Sequence, residues 1–147
     1  MAQSLAFLPP DGRILSRREV IVADLRELLG PEGIVSEARE LVPFETDGFI
    51  ACRNLPLAVA LPRTTAEVSE LMKYCARYDI PVVPRGAGTS LSGGAVPQSD
   101  ALVIALTRMN RILDVDFANR AAVVQAGGVT EGATLLGLSQ PAVSRTL

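Results

Sequence analysis

Hydrophobic and polar positions along this chain form three patterns, each predicting a different element. Two stretches carry helical spacing. Val20, Ile21, Leu25, Leu28 and Leu29 share one side of a helical period behind Ser16-Arg-Arg-Glu19, a capping-box spacing, and Gly30-Pro31 stops the run. Val68, Leu71, Met72 and Cys75 stand at i, i+3, i+4 and i+7 behind a second box, Thr64-Thr-Ala-Glu67. That spacing predicts a core-facing helix ending near Tyr78-Asp79. Short continuous apolar runs form the second pattern: Leu57 to Leu61, closed by Pro62, then Ile80 to Val83, and Ala101 to Leu106. The last is purely aliphatic, as a strand buried on both faces requires. Alternation is the third pattern. Ile112 to Asp116 and Ala121 to Gln125 flank Phe117-Ala-Asn119, where Asn tolerates a left-handed conformation, and the pattern is that of a hairpin.

Strand, capped helix and second strand read as a right-handed βαβ crossover between parallel strands. The expected fold class is α+β: a small mixed sheet with packed helices. Residues 57–127 are expected to form one layer, with the Thr65–Tyr78 helix on one face. Before it, residues 1–15 are polar and broken by prolines, the pattern of a loose arm. Ser36 to Val42 has the length of a short helix ended by Pro43. Phe44-Glu-Thr-Asp-Gly48 follows as a turn, with Glu45 and Asp47 on a shared face and read as solvated.

Composition narrows the chemistry. With 147 residues, 48% hydrophobic but 4% aromatic, the chain can bury one modest aliphatic core. Fourteen basic and sixteen acidic residues leave a net charge of −2, so no nucleic-acid partner is expected. Histidine is absent, which removes the commonest general base and metal ligand. Cys52 and Cys75 are too few for a disulfide scaffold and too far apart for a metal motif, so both are read as reduced, buried thiols and no metal site is expected. No apolar run is long enough to span a membrane, and the first residues lack the pattern of a signal peptide. The expected compartment is therefore the cytoplasm.

One stretch carries candidate chemistry. Residues 84–96, PRGAGTSLSGGAV, lie between two of the apolar strands and contain four glycines, three hydroxyls, one arginine and no acidic side chain. Glycines allow positive φ and close backbone approach, and successive N–H groups in such a loop converge into an anion-binding concavity. Thr89, Ser90 and Ser92 add hydroxyl donors. A Gly-Lys-Ser/Thr sequence is missing, so this is not a Walker loop. Leu91 replaces the third glycine of a dinucleotide fingerprint, and Pro97 follows where its helix would start. A phosphate cradle made by loop backbone alone fits these residues.

RGAGTSLSGG resembles the pyrophosphate loop of FAD-linked oxidases of the vanillyl-alcohol oxidase type, nearest to the glycolate oxidase D subunit and D-lactate dehydrogenases. The resemblance runs from about residue 19 to 128, through PFETDGFIACRNLPLAVALPRTTAEVSELMKYC before the loop and LTRMNRILDVDFANRAAVVQAG after it. It implies the first half of a PCMH-type FAD-binding domain at residues 16–128, between the arm at 1–15 and an atypical tail at 129–147. The implied cofactor is FAD, with Pro84, Arg85, Gly86, Ala87, Gly88, Thr89, Ser90, Ser92, Gly93 and Gly94 at its pyrophosphate. Gln125, Ala126 and Gly127 match a turn lying along the flavin, with Gly128 as an extra glycine.

The implied reaction is flavin-dependent oxidation of a small 2-hydroxy acid such as glycolate or D-lactate. In the family the base, the metal-binding histidines and the substrate cover come from a C-terminal half with no counterpart here. No catalytic residue is therefore assigned, and the chain is expected to be a truncated part, inactive alone. The missing half of the oxidase, or other glycolate-oxidase-type subunits, are the implied partners. The tail, EGATLLGLSQPAVSRTL, reads either as a diverged continuation or as a helix-turn-helix relic resembling LysR-type regulators. The alternative function is accordingly a non-catalytic fusion relic, or an interaction or DNA-binding module.

Overall fold

The computed structural model describes residues 9–125, which divide into two compact units meeting at Ala105 and Leu106. The expected tail at 129–147, with Ala126 and Gly127, lies outside the described residues.

The first unit begins with a short helix, α1 (Gly12–Leu15), where a loose arm was expected. Asp11 caps it by accepting the Arg13 amide at 2.8 Å, and Ile14 is buried. Helix α2 (Arg18–Leu29) follows, with Ile21, Val22 and Leu25 buried while Val20 and Leu28 stay exposed. Ser16 does not cap α2. It closes α1, its hydroxyl donating to the Arg13 carbonyl, and Arg17 precedes α2 without a side-chain cap. The capping-box spacing fails because a separate helical turn occupies the residues before it.

Strand β1 (Ile34–Val35) escaped the sequence pattern because two residues show no alternation. Helix α3 (Ala38–Leu41) continues through a 3-10 turn at Val42–Phe44 that takes in Pro43, instead of stopping there. Strand β2 (Ala58–Ala60) leads to α4 (Thr65–Arg77), and strands β3 (Val82–Arg85) and β4 (Leu102–Ala105) complete the unit. Thr64 caps α4 by accepting the Glu67 amide at 3.2 Å, while the Glu67 carboxylate accepts from Arg63 at 2.6 Å. Leu71 and Cys75 are buried, but Met72, expected in the core stripe, is exposed. The Tyr74 hydroxyl ties α4 to α2 by donating to Asp24 at 2.6 Å.

The sheet order is β1-β2-β4-β3, with β1 antiparallel and the other pairs parallel. The crossover through α4 thus skips one place, and β4 fills it. The placing has a physical basis: all four residues of β4 are buried, which suits the interior of a parallel sheet. Strand β3 contains Pro84, which lacks an amide donor and is tolerated at an edge. Val59 and Val103 share a cluster with Leu41 and Ala105, around which Val35, Phe44, Leu61 and Val83 pack.

The second unit, described over residues 106–125, holds the expected hairpin, β5 (Ile112–Asp116) and β6 (Ala121–Val124). It is a separate two-stranded sheet, so the described part of residues 57–127 contains two sheets where one was expected. The positive φ in its turn belongs to Arg120, at 51°, while Asn119 donates from its amide and its side chain to Asp116. Among the described residues, no helix is long and apolar enough to cross a membrane.

Candidate functional site

The loop after β3 is built around Arg85, the last residue of that strand. Its guanidinium is buried, donating to the Thr46 carbonyl at 2.7 Å and to the Pro43 carbonyl at 3.1 Å. It lies over the Phe44 ring, 5.6 Å from the centroid, within cation–π range. Burial lowers its pKa and Asp47 pulls the other way. Gly88, with φ of 73°, sits against this guanidinium. A Cβ there would fall 2.2 Å from Arg85 Nη2, so a larger residue would have to push the guanidinium off its carbonyls as well as adopt a positive φ.

A second tie holds the far end of the loop. Asp47, expected on a solvated turn, is only 5% exposed. Its carboxylate accepts the Phe49 amide at 2.8 Å and the Ala95 amide at 3.2 Å. Glu45 instead pairs with Arg53 at 3.1 Å. The Thr46 hydroxyl donates to the Cys52 carbonyl at 2.8 Å, closing the 46–52 turn. Gly48 meets the loop directly, since a Cβ on it would lie 2.8 Å from the Ser90 carbonyl oxygen. Residues 43–49 therefore form the seat of a loop some forty residues away in sequence. Alternation alone could not assign them this role, because the carboxylate pair looks identical whether solvated or buried.

Between the two ties the chain is open. Gly86, Ala87, Thr89, Ser90, Ser92 and Gly94 are exposed, while Gly88 and Gly93 are half-buried and have positive φ. Ser90 accepts the Ser92 amide at 3.3 Å, and the Gly93 carbonyl accepts the Val96 amide at 3.2 Å. The amides from Gly88 to Leu91 donate to no group among the described residues. Exposed hydroxyls, uncommitted amides and no acidic side chain make a donor set that fits a phosphate anion. The structure thus gathers Pro84 through Gly94 at one site, but Arg85 commits its side chain to protein carbonyls. Gln125 stands in the second unit, its side-chain oxygen accepting from the Arg111 amide at 3.1 Å. Among the described residues no cluster of acidic residues and cysteines could hold a metal. Cys75 is a buried free thiol as expected, whereas Cys52 is half-buried.

Comparison with known proteins gives the family. Residues 56–133, a little over half of the chain, match the family described as FAD binding domain. Glycolate oxidase subunit GlcD of Escherichia coli K12 is 40% identical over 113 residues, covering 77% of this chain and 22% of that protein. The Bacillus subtilis GlcD subunit is 36% identical, covering 76% and 24%, and the mitochondrial D-2-hydroxyglutarate dehydrogenase of Arabidopsis thaliana is 34% identical, covering 75% and 20%. The chain thus spans between a fifth and a quarter of these relatives' length.

Among solved structures, 4-ethylphenol oxidase from Gulosibacter chungangensis superimposes with a TM-score of 0.68 at 24% identity, over 88% of this chain and 27% of that one. p-Cresol methylhydroxylase does so with a TM-score of 0.66 at 22% identity, over 90% and 27%. Those two likenesses establish the fold. With a family match over more than half of the chain and relatives up to 40% identical across three quarters of it, the chain belongs to the PCMH-type FAD binding domain family and its cofactor is FAD.

Proposed function

We infer that this chain holds the FAD pyrophosphate for a flavin-dependent oxidoreductase acting on a small 2-hydroxy acid, of the glycolate or D-lactate kind. The observation that carries the reading is the loop at 86–94, tied at both ends and left with exposed donors between them. Bound FAD supplies the hydride acceptor of such an oxidation. The chain's own residues contribute binding: loop amides and the hydroxyls of Thr89, Ser90 and Ser92 meet the phosphate charge, and Gly88 and Gly93 allow close approach.

The 147 residues alone are proposed to be inactive. Oxidation of a hydroxy acid needs a base for the hydroxyl proton and a cationic seat for the carboxylate. The chain has no histidine, and it spans less than a quarter of relatives named for such activities. A completing polypeptide, or another glycolate-oxidase-type subunit, is the proposed partner. The hairpin supports this, since it leaves Leu113, Phe117 and Val123 exposed.

Titration of the purified chain with FAD and with ADP, followed by flavin fluorescence and calorimetry, tests the binding. Saturable binding of both is expected. Failure of both at millimolar concentration overturns the proposed site. Turnover of glycolate or D-lactate by the flavin-loaded chain alone, with any electron acceptor, overturns the assignment of an inactive binding part.

A further inference from the structure

Resting on the pyrophosphate reading, we propose that Arg85 and Asp47 are positioning residues of the FAD loop, acting through its backbone from below and not by touching phosphate. An arginine at the mouth of a phosphate loop invites the opposite assignment. The geometry decides between them. Arg85 Nη1 and Nη2 donate to the carbonyls of Thr46 and Pro43, and the Phe44 ring covers the guanidinium. Gly88 closes over the same group so tightly that a Cβ has no room. The planar fork donates from two separate nitrogens while lying over the Phe44 ring, a fixed geometry that the single nitrogen of an ammonium on a flexible stem does not reproduce.

Asp47 does the corresponding work at the other end. One carboxylate oxygen takes the Phe49 amide and the other takes the Ala95 amide, so the 46–49 turn and the loop's exit share one anchor. The two residues thus fix both ends of a segment that has few bonds of its own. Holding the donors in place before the ligand arrives removes part of the ordering cost of binding.

The test compares Arg85→Lys and Asp47→Asn with the wild-type chain in three measurements. Amide hydrogen exchange without ligand reads the brace itself. In Arg85→Lys, the hydrogen-bonded amides of Ser92, Ala95 and Val96 are expected to exchange about tenfold faster or more, the scale of one lost charge-assisted bond, while α4 and β4 amides keep their wild-type protection. In Asp47→Asn, either orientation of the side-chain amide leaves Phe49 or Ala95 facing a donor, so exchange rises at one of those two positions.

ADP affinity is the second measurement and is expected to fall about tenfold in both variants. Its salt dependence is the third, read in a further variant, Arg85→Gln, because lysine keeps the charge. A brace leaves the slope nearly unchanged, whereas a removed phosphate contact flattens it. Unchanged exchange at Ser92, Ala95 and Val96 in both variants overturns the proposal, as does a flattened salt slope in Arg85→Gln with that protection intact. If the wild-type chain binds neither FAD nor ADP, the pyrophosphate reading fails, and the exchange measurement still decides whether Arg85 and Asp47 hold the loop. If Arg85→Lys does not fold, Asp47→Asn decides alone by the same exchange criterion.

Discussion

Leu102, Val103 and Ala105 in β4 are completely withdrawn from solvent, whereas Thr89, Ser90, Leu91 and Ser92, about a dozen residues earlier, are exposed, Leu91 to 78%. The strand stays in place because its own side chains are buried on both faces of a sheet. The loop is placed by side chains at its edge and beyond it, one buried arginine and one buried aspartate. Burial of aliphatic area is large and non-directional, so it builds a scaffold and tolerates imprecision. Ligand recognition needs donors at fixed positions in water, and hydrogen bonds of known direction to a charged anchor provide that at small cost in area. The two regions of the molecule therefore differ in what breaks them.

The largest effect is expected from truncating the scaffold. Leu71 in α4 is fully buried, so Leu71→Ala is expected to lower unfolding free energy by about 2–5 kcal/mol, read by urea denaturation. ADP affinity per folded molecule is expected to stay near wild type. A loss of affinity in the folded fraction would erase the distinction between scaffold and loop.

Gly88→Val inverts that pattern. Positive φ for a β-branched residue costs about 1–3 kcal/mol, and the added side chain must displace the Arg85 guanidinium from its carbonyls. Binding of FAD and ADP is expected to vanish, while the melting transition shifts only moderately. Retained binding would mean that the close approach at Gly88 has no part in holding phosphate.

A smaller effect sharpens the comparison on the scaffold side. Thr64→Ala removes the cap of α4 and is expected to cost about 1 kcal/mol by thermal melting, without changing loop exchange. Faster exchange at Ser92, Ala95 and Val96 in this variant would show that the helix and the loop are one cooperative unit.

The smallest effect concerns pH. Burial pushes the Cys75 thiol from 9.0 up to about 11, so the folded chain holds that proton more firmly than the unfolded chain. The resulting stability is complete below 9 and is lost as pH rises from there toward about 11. Cys75→Ala is expected to flatten the fall in stability across that window and to leave ADP affinity untouched. An equally steep fall in the variant would assign the pH dependence to other groups.

Much of this molecule is determined by its sequence alone. The aliphatic run at 101–106, the Thr64 cap with Leu71 and Cys75 behind it, and the alternating pair around Phe117 each commit a local segment through its own periodicity. Glycine spacing and the absence of acids likewise mark 84–96 as a candidate phosphate loop without any tertiary knowledge. Tertiary structure decided the rest. Only the assembled sheet puts β4 between β2 and β3, because adjacency depends on which strand buries both faces best, a comparison between strands that no single window contains. Ser16 could not be placed as a cap without knowing that α1 exists before it. Asp47 and Arg85 are the clearest case: a carboxylate in a turn and an arginine beside glycines carry the same local pattern whether they face water, phosphate or each other's loops. Their roles come from contacts across some forty residues, and such contacts leave no period in the chain.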